Sequence, residues 1–352
     1  MIQLLSGSRS IRSSVATLIW CVWIVGIAPM HSIAAQDLSE LSPFIEQSKG
    51  QVSTFWLASG LPGTMNQWDA IPPTRIEGQI VEMNDREIIY VPKGSDKPIR
   101  SIGDQVIAIE VAWGSDKAKT AHSLFAQEKH QEYLASSRDA LTSGVLKWQQ
   151  RAIVSEMAIA AKRSGRWGTS ADLFLRLSKE KPPAIFFSAI PLVWTSRSKP
   201  DAAAIKQAEK WIQEEDEAQK LIAASWLLSG SLRSEALQAL KDLQQSKNPM
   251  IQKLAVAQQW RAVPAAEVPS QRLVEWTLHR DSMAQPLQVG PTLVIADKLD
   301  QAGKTELAIP EWMRVLVLHR DQKEEAAQCR QRLQEVNTNL EADLKEKIDR
   351  LR

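Results

Sequence analysis

A His-Arg-Asp triplet occurs twice in this 352-residue chain, as Leu278-His279-Arg280-Asp281 and Leu318-His319-Arg320-Asp321. In a phosphoryl-transfer loop such an Asp takes the proton of the attacking hydroxyl, and an Asn five residues on holds a metal ion. Pro286 and Ala326 stand at those places, and neither a glycine-rich phosphate loop nor an Asp-Phe-Gly metal motif occurs. Both triplets fall where a helical pattern stops, and there His and Arg complement the negative helix end. Metal chemistry needs clustered ligands, but His122 and His130 lie eight apart without an HExxH motif. Cys21 and Cys329 are the only cysteines, and Cys21 falls in an apolar leader, so Cys329 is left without an internal disulfide or a CxxC partner. The acidic run Glu214-Glu215-Asp216-Glu217 lacks the glycine turn of a calcium loop and reads as the solvated start of a helix. No GxSxG elbow, Walker loop or GxGxxG occurs. No catalytic, cofactor-binding or metal residue is therefore assigned, and no cofactor is expected.

Tryptophan is the residue used out of proportion, 13 against 2 Tyr and 6 Phe. A row of exposed indoles would stack on sugar rings or peptide, whereas indoles on apolar helix faces are core. Trp226, Trp260 and Trp312 have apolar company at helical spacing (Leu221 and Ala224, Leu254 and Ala257, Ile309 and Leu316) and are expected inside. Trp211, in Lys210-Trp211-Ile212-Gln213, has weaker apolar company. It is the one candidate for lining a partner groove.

Residues 1–34 read as a secretory signal peptide. Arg9 and Arg12 form its positive start, Val15 to Met30 its apolar run, and Ser32-Ile33-Ala34 a small-residue cleavage site after Ala34. The apolar run of 16 falls short of the roughly 20 residues that span a bilayer. An uncleaved leader is thus the only expected membrane contact, and the address is periplasm or cell envelope. Without the two leader arginines the chain carries 41 basic and 41 acidic residues. That neutrality lacks the electrostatic footprint of a nucleic-acid binder.

These residues must be positioned by elements. Residues 35–70 read as irregular, with a short helix near Asp37 to Lys49. Residues 71–114 carry alternating β-branched runs separated by turn residues at Asn84-Asp85, Pro92 to Asp96 and Gly103-Asp104, which predicts a small SH3- or Sm-like β-barrel module. Residues 117–352 read as helix after helix, the first over Ala121 to Leu141, with Asp201 a good N-cap. A Pro-interrupted stretch from Pro182 to Pro200 divides them. The fold class is mainly α, an α-solenoid of stacked helical hairpins preceded by the β module.

Internal similarity supports hairpin repeats. Gln219 to Trp226 returns as Gln252 to Trp260, and the His-Arg-Asp triplets lie 40 residues apart. Gly303-Lys304-Thr305-Glu306-Leu307-Ala308-Ile309-Pro310-Glu311-Trp312 resembles the turn and second helix of a tetratricopeptide repeat. Gly303 matches the turn glycine, Ala308 the small residue of close helix approach, and Trp312 the large aromatic beside it. Thr292 and Leu299 replace the aromatics of the first helix, and Arg320 stands where the closing proline would be. Gly165-Arg166-Trp167 with Ala171, Leu175 and Pro183 is a second, looser match. The stretch from Asp216 to Ala262 is similar to HEAT-type pairs. The chain thus resembles exported bacterial helical-repeat proteins of unassigned activity. That resemblance implies a non-enzymatic scaffold or adaptor outside the cytoplasm, with a protein or peptide partner. The alternative is an enzyme, or an enzyme accessory, acting on envelope polymers through a Trp-rich cleft. The stripe Leu333, Val336, Leu340, Leu344, Ile348 and Leu351 is expected to cap the array or to close a homodimer.

Overall fold

The structure is a computed structural model that describes residues 41–58, 73–196, 198–318 and 323–336. The leader with its cleavage site, the second His-Arg-Asp triplet and the stripe beyond Val336 lie outside the described residues.

Five antiparallel strands, β1 (Val52–Leu57), β2 (Thr74–Met83), β3 (Glu87–Pro92), β4 (Ile99–Ile102) and β5 (Val106–Glu110), form one sheet in the order β4-β3-β2-β1-β5. A short helix α1 (Ser42–Gln47) precedes them. Two turns follow the sequence reading. Asn84 Oδ1 accepts from the backbone N–H of Arg86 at 2.9 Å and of Glu87 at 3.1 Å, closing the β2–β3 hairpin. Gly103 opens a single 3₁₀ turn between β4 and β5.

Two expectations are corrected. First, β1 lies within 35–70, a stretch read as irregular. Its inward residues are Ser53, Phe55 and Leu57, so a serine on the buried face hides the apolar alternation. Ser53 is tolerated there because its Oγ accepts from the Ala112 N–H at 3.0 Å. Second, the sheet is open rather than a closed barrel: β4 and β5 occupy opposite edges and do not pair. One face, with Phe55, Ile80, Ile88 and Tyr90, packs into the main core. The other, with Val81, Ile89 and Val91, is covered by Leu41 and Ile45 around α1.

The rest of the described chain is mainly helical. The helices are α2 (Asp116–Ala126), α3 (His130–Leu141), α4 (Lys147–Arg163), α5 (Trp167–Ser178), α6 (Ala184–Phe187) and α7 (Ala202–Trp211), then α8 (Glu217–Leu227), α9 (Arg233–Asp242), α10 (Pro249–Trp260), α11 (Ser270–Asp281), α12 (Val289–Gln301), α13 (Thr305–Leu318) and α14 (Lys323–Val336). Neighbours in sequence pack on one another: α2 on α3, α4 on α5, α7 on α8, α12 on α13, and α13 on α14. Their ends carry the expected chemistry. Asp201 caps α7 by accepting from the Ala204 N–H at 2.8 Å, and Asp216 caps α8 by accepting from Gln219 N–H at 3.0 Å. Gly303 at φ +72° and Gly165 at φ +74° turn the α12–α13 and α4–α5 pairs, in the left-handed region that glycine enters without steric cost.

The helix read over Ala121 to Leu141 is in fact two. The break falls at Gln127-Glu128-Lys129, where Glu128 takes φ +62°. No glycine or proline marks it, which is why it was not legible. The left-handed residue costs about 1–2 kcal/mol, and the antiparallel packing of α2 on α3 offsets it.

Helix α4 joins sheet to helices. The Trp148 Nε1–H donates to the Ile80 carbonyl at 2.9 Å, and Arg151 bonds Glu82 at 2.7 Å, the Met83 carbonyl at 2.6 Å and Glu180 at 3.2 Å. One apolar core runs without interruption from Phe55 through Trp148, Leu221 and Ile295 to Leu333.

Candidate functional site

The Pro-interrupted stretch, which the sequence marked only as a break between helices, forms the most unusual feature of the interior. Residues Ala189 to Thr195 cross it as an irregular strap that turns tightly where the Leu192 N–H donates to the Ile190 carbonyl at 2.8 Å, with Leu192 fully buried and Val193 nearly so. Loops rarely run through an interior, because their backbone groups lose water. Here side chains replace it. Ser225 Oγ on α8 accepts from the Val193 N–H at 2.9 Å, and Gln258 Nε2 on α10 donates to the Val193 carbonyl at 3.1 Å. The Trp226 indole N–H donates to the Pro191 carbonyl at 2.7 Å. On the far side Trp194 lies flat against α12 at Gly290, where any Cβ would fall inside the indole ring.

A cleft of about 620 Å³ opens along the strap, between it and the ends of α8, α10 and α12. Trp194 and Trp226 wall it; Thr195, Ser196 and Ser198 supply hydroxyls; Arg261, Lys298 and Lys199 supply positive charge, and Asp297 negative charge. A smaller pocket of about 210 Å³ shares Thr195, Ser196, Asp297 and Gln301 with it and reaches Arg332 on α14. There Arg332 is paired with Asp300 and Glu335, 5.7 Å above the Trp312 ring. Burial pulls the Arg261 guanidinium down to about 10. It also lowers Lys298, against the opposing pull of Asp297, while Arg233 and Arg261 push the same way as burial.

The other candidates fall into place around this. Trp226, Trp260 and Trp312 are buried, as their apolar company required. Trp211 is half-buried, packs on Trp226 at 6.1 Å between ring centroids, and is not among the cleft residues. Trp167 meets Trp226 edge-on at 5.9 Å, and Trp260 stacks on Trp276 at 5.0 Å. The first His-Arg-Asp triplet does end α11, but Arg280 and Asp281 are buried. Arg280 bonds Asp281 at 2.9 Å and pairs with Glu311, while Arg314 bonds Asp281 at 2.9 Å. His122 Nδ1 lies 2.7 Å from Glu156, which raises its pKa against the lowering by burial. His130 is not with it, and no group of metal-ligating residues gathers among the described residues. Cys329 is buried, its thiol pushed up to about 12, chiefly by burial. From the acidic run, Asp216 caps α8 and Glu217 accepts from Ser246 Oγ at 2.6 Å.

The cleft residues Trp194 and Thr195 were not singled out by sequence reasoning. The available signal was Ala189-Ile190-Pro191-Leu192-Val193-Trp194, an apolar run too short and too proline-broken for a helix and without a strand partner. No family model, no curated protein and no solved structure matches this chain.

Proposed function

We propose that the protein is a binding accessory that acts outside the cytoplasm on an envelope polymer, holding a stretch of it in the cleft beside the strap. One observation carries this reading: a cleft of about 620 Å³ with the half-buried Trp194 indole in its wall, the buried Trp226 behind it, and a rim of hydroxyls and charges. That volume falls in the range of small-ligand sites, and indole faces with polar rims are the chemistry that takes sugar rings. Binding rather than bond cleavage fits the acids present. Asp300, beside Asp297, is committed to Arg332 and to the Thr305 hydroxyl at 3.0 Å, which leaves no built acid–base pair in the cleft among the described residues. The test is tryptophan emission of the purified chain against a panel of soluble neutral and acidic glycans. A saturable shift that Trp194→Ala abolishes is expected; silence across the panel would overturn the reading.

A second reading, a scaffold for a protein partner, has its own support. The helical array already holds a non-helical segment, its own strap, through side-chain bonds to backbone. In this reading the hairpins are tetratricopeptide- or HEAT-like and the sheet an SH3- or Sm-like relative whose edges have not closed. Stoichiometric recovery of one protein on cross-linking in the envelope fraction, together with no glycan response, would favour it.

A further inference from the structure

The cleft contains a guanidinium that pairs with no carboxylate among the described residues. Arg261 stands at the C-terminal end of α10, and its Nη1 donates to the Ser225 carbonyl at 2.9 Å and to Gln258 Oε1 at 2.7 Å. Its Nε and Nη2 donate to nothing among the described residues, and no carboxylate there lies within 4.0 Å of it. Three other arginines of the helical region behave differently. Arg151 holds Glu82 and Glu180, Arg280 holds Asp281 and Glu311, and Arg314 holds Asp281. Arg261 is half-buried and faces the cleft, and its charge is met by the Ser225 carbonyl in the last turn of α8 rather than by a carboxylate among the described residues.

Two neighbours strengthen the point. The Lys298 ammonium donates to the Arg261 carbonyl at 3.1 Å, which brings a second cation near the first, and Lys199 also lines the cleft. Against these three, Asp297 is the one carboxylate among the described residues that lines the cleft. Thr195, 8% exposed, also lines it, and its buried hydroxyl has no hydrogen-bond partner. A hydroxyl without a partner and guanidinium N–H groups without an acceptor among the described residues, both in the lining of one cleft, are the complement of an anion's oxygens.

We infer that the cleft binds a ligand carrying a carboxylate or phosphate group, received by Arg261 with Lys298, Lys199 and the Thr195 hydroxyl. This rests on the cleft being a polymer site and names the class of polymer: an acidic glycan, with the charged group at Arg261 and the sugar faces on the indoles.

The test uses the full chain and three probes: an oligomer of galacturonic acid, its methyl-esterified neutral form of the same length, and inorganic phosphate. The acidic oligomer is expected to bind at least tenfold tighter than the neutral one, because a charge-assisted bond is lost with the ester. Its affinity should fall several-fold between 50 and 500 mM salt, on the order expected for a screened but partly buried pair. Lys199→Gln, at an exposed position, should weaken acidic binding severalfold with an unchanged thermal midpoint. Lys298→Gln should weaken it about tenfold. Equal binding of the two oligomers, or indifference to both substitutions, overturns the inference while the polymer reading stands. Phosphate binding that Lys298→Gln abolishes, with neither oligomer bound, upholds the anion site and removes the polymer reading. No response to any probe removes both.

Discussion

Arg280 and Asp281 show what the most chemistry-like motif in the sequence does instead of chemistry. Their burial beside Glu311 and Arg314 sets two cations against two anions in the interior, tying the end of α11 to α13. Burial raises the Glu311 carboxyl, and Arg280 and Arg314 pull it back. Removing one anion leaves two guanidinium groups to share the other. We therefore expect Asp281→Asn to lower unfolding stability by about 3–5 kcal/mol, read as a fall in the urea midpoint by circular dichroism. A loss below about 1 kcal/mol would mean that these charges are solvated. The triplet's position at a helix end was legible from spacing. Its burial was not, because Glu311 and Arg314 lie some 30 residues away and nothing local marks them as partners.

At the scale of elements, the hairpins were legible and the strap was not. Helix boundaries followed from caps and apolar spacing: Val289–Gln301 is helical over the range the pattern gives, and Asp201 and Asp216 cap as their types require. Those signals are local, so one sequence contains them. The sheet's first strand was hidden by Ser53, whose polarity is compensated only by the distant Ala112 N–H. The α2–α3 break was hidden by Glu128, whose backbone strain is offset only by packing. The strap depends wholly on distant groups, and this makes it testable. Ser225→Ala leaves the Val193 N–H buried with no acceptor, which should cost about 1–3 kcal/mol. The urea midpoint of this variant should fall accordingly, and Ser225→Ala at wild-type stability would mean that water reaches the strap.

At the scale of the molecule, sheet and helices share one core, and α4 bonds to both through Trp148 and Arg151. Stacked helical repeats ordinarily melt piecewise, since each contacts only its neighbours. Here a single transition is expected, with far-UV circular dichroism and tryptophan emission superimposing in urea. Separate midpoints for the two signals would show that the sheet unfolds independently. The strap adds a constraint of another kind. It is gripped at once by α8, α10 and α12, which lie roughly 30, 65 and 95 residues further along the chain. A linear array can gain or lose a hairpin and remain the same object, one unit longer or shorter. In this one, duplicating or deleting a hairpin between α8 and α12 would carry Gly290 away from Trp194, so the number of units is fixed by the thread that passes among them.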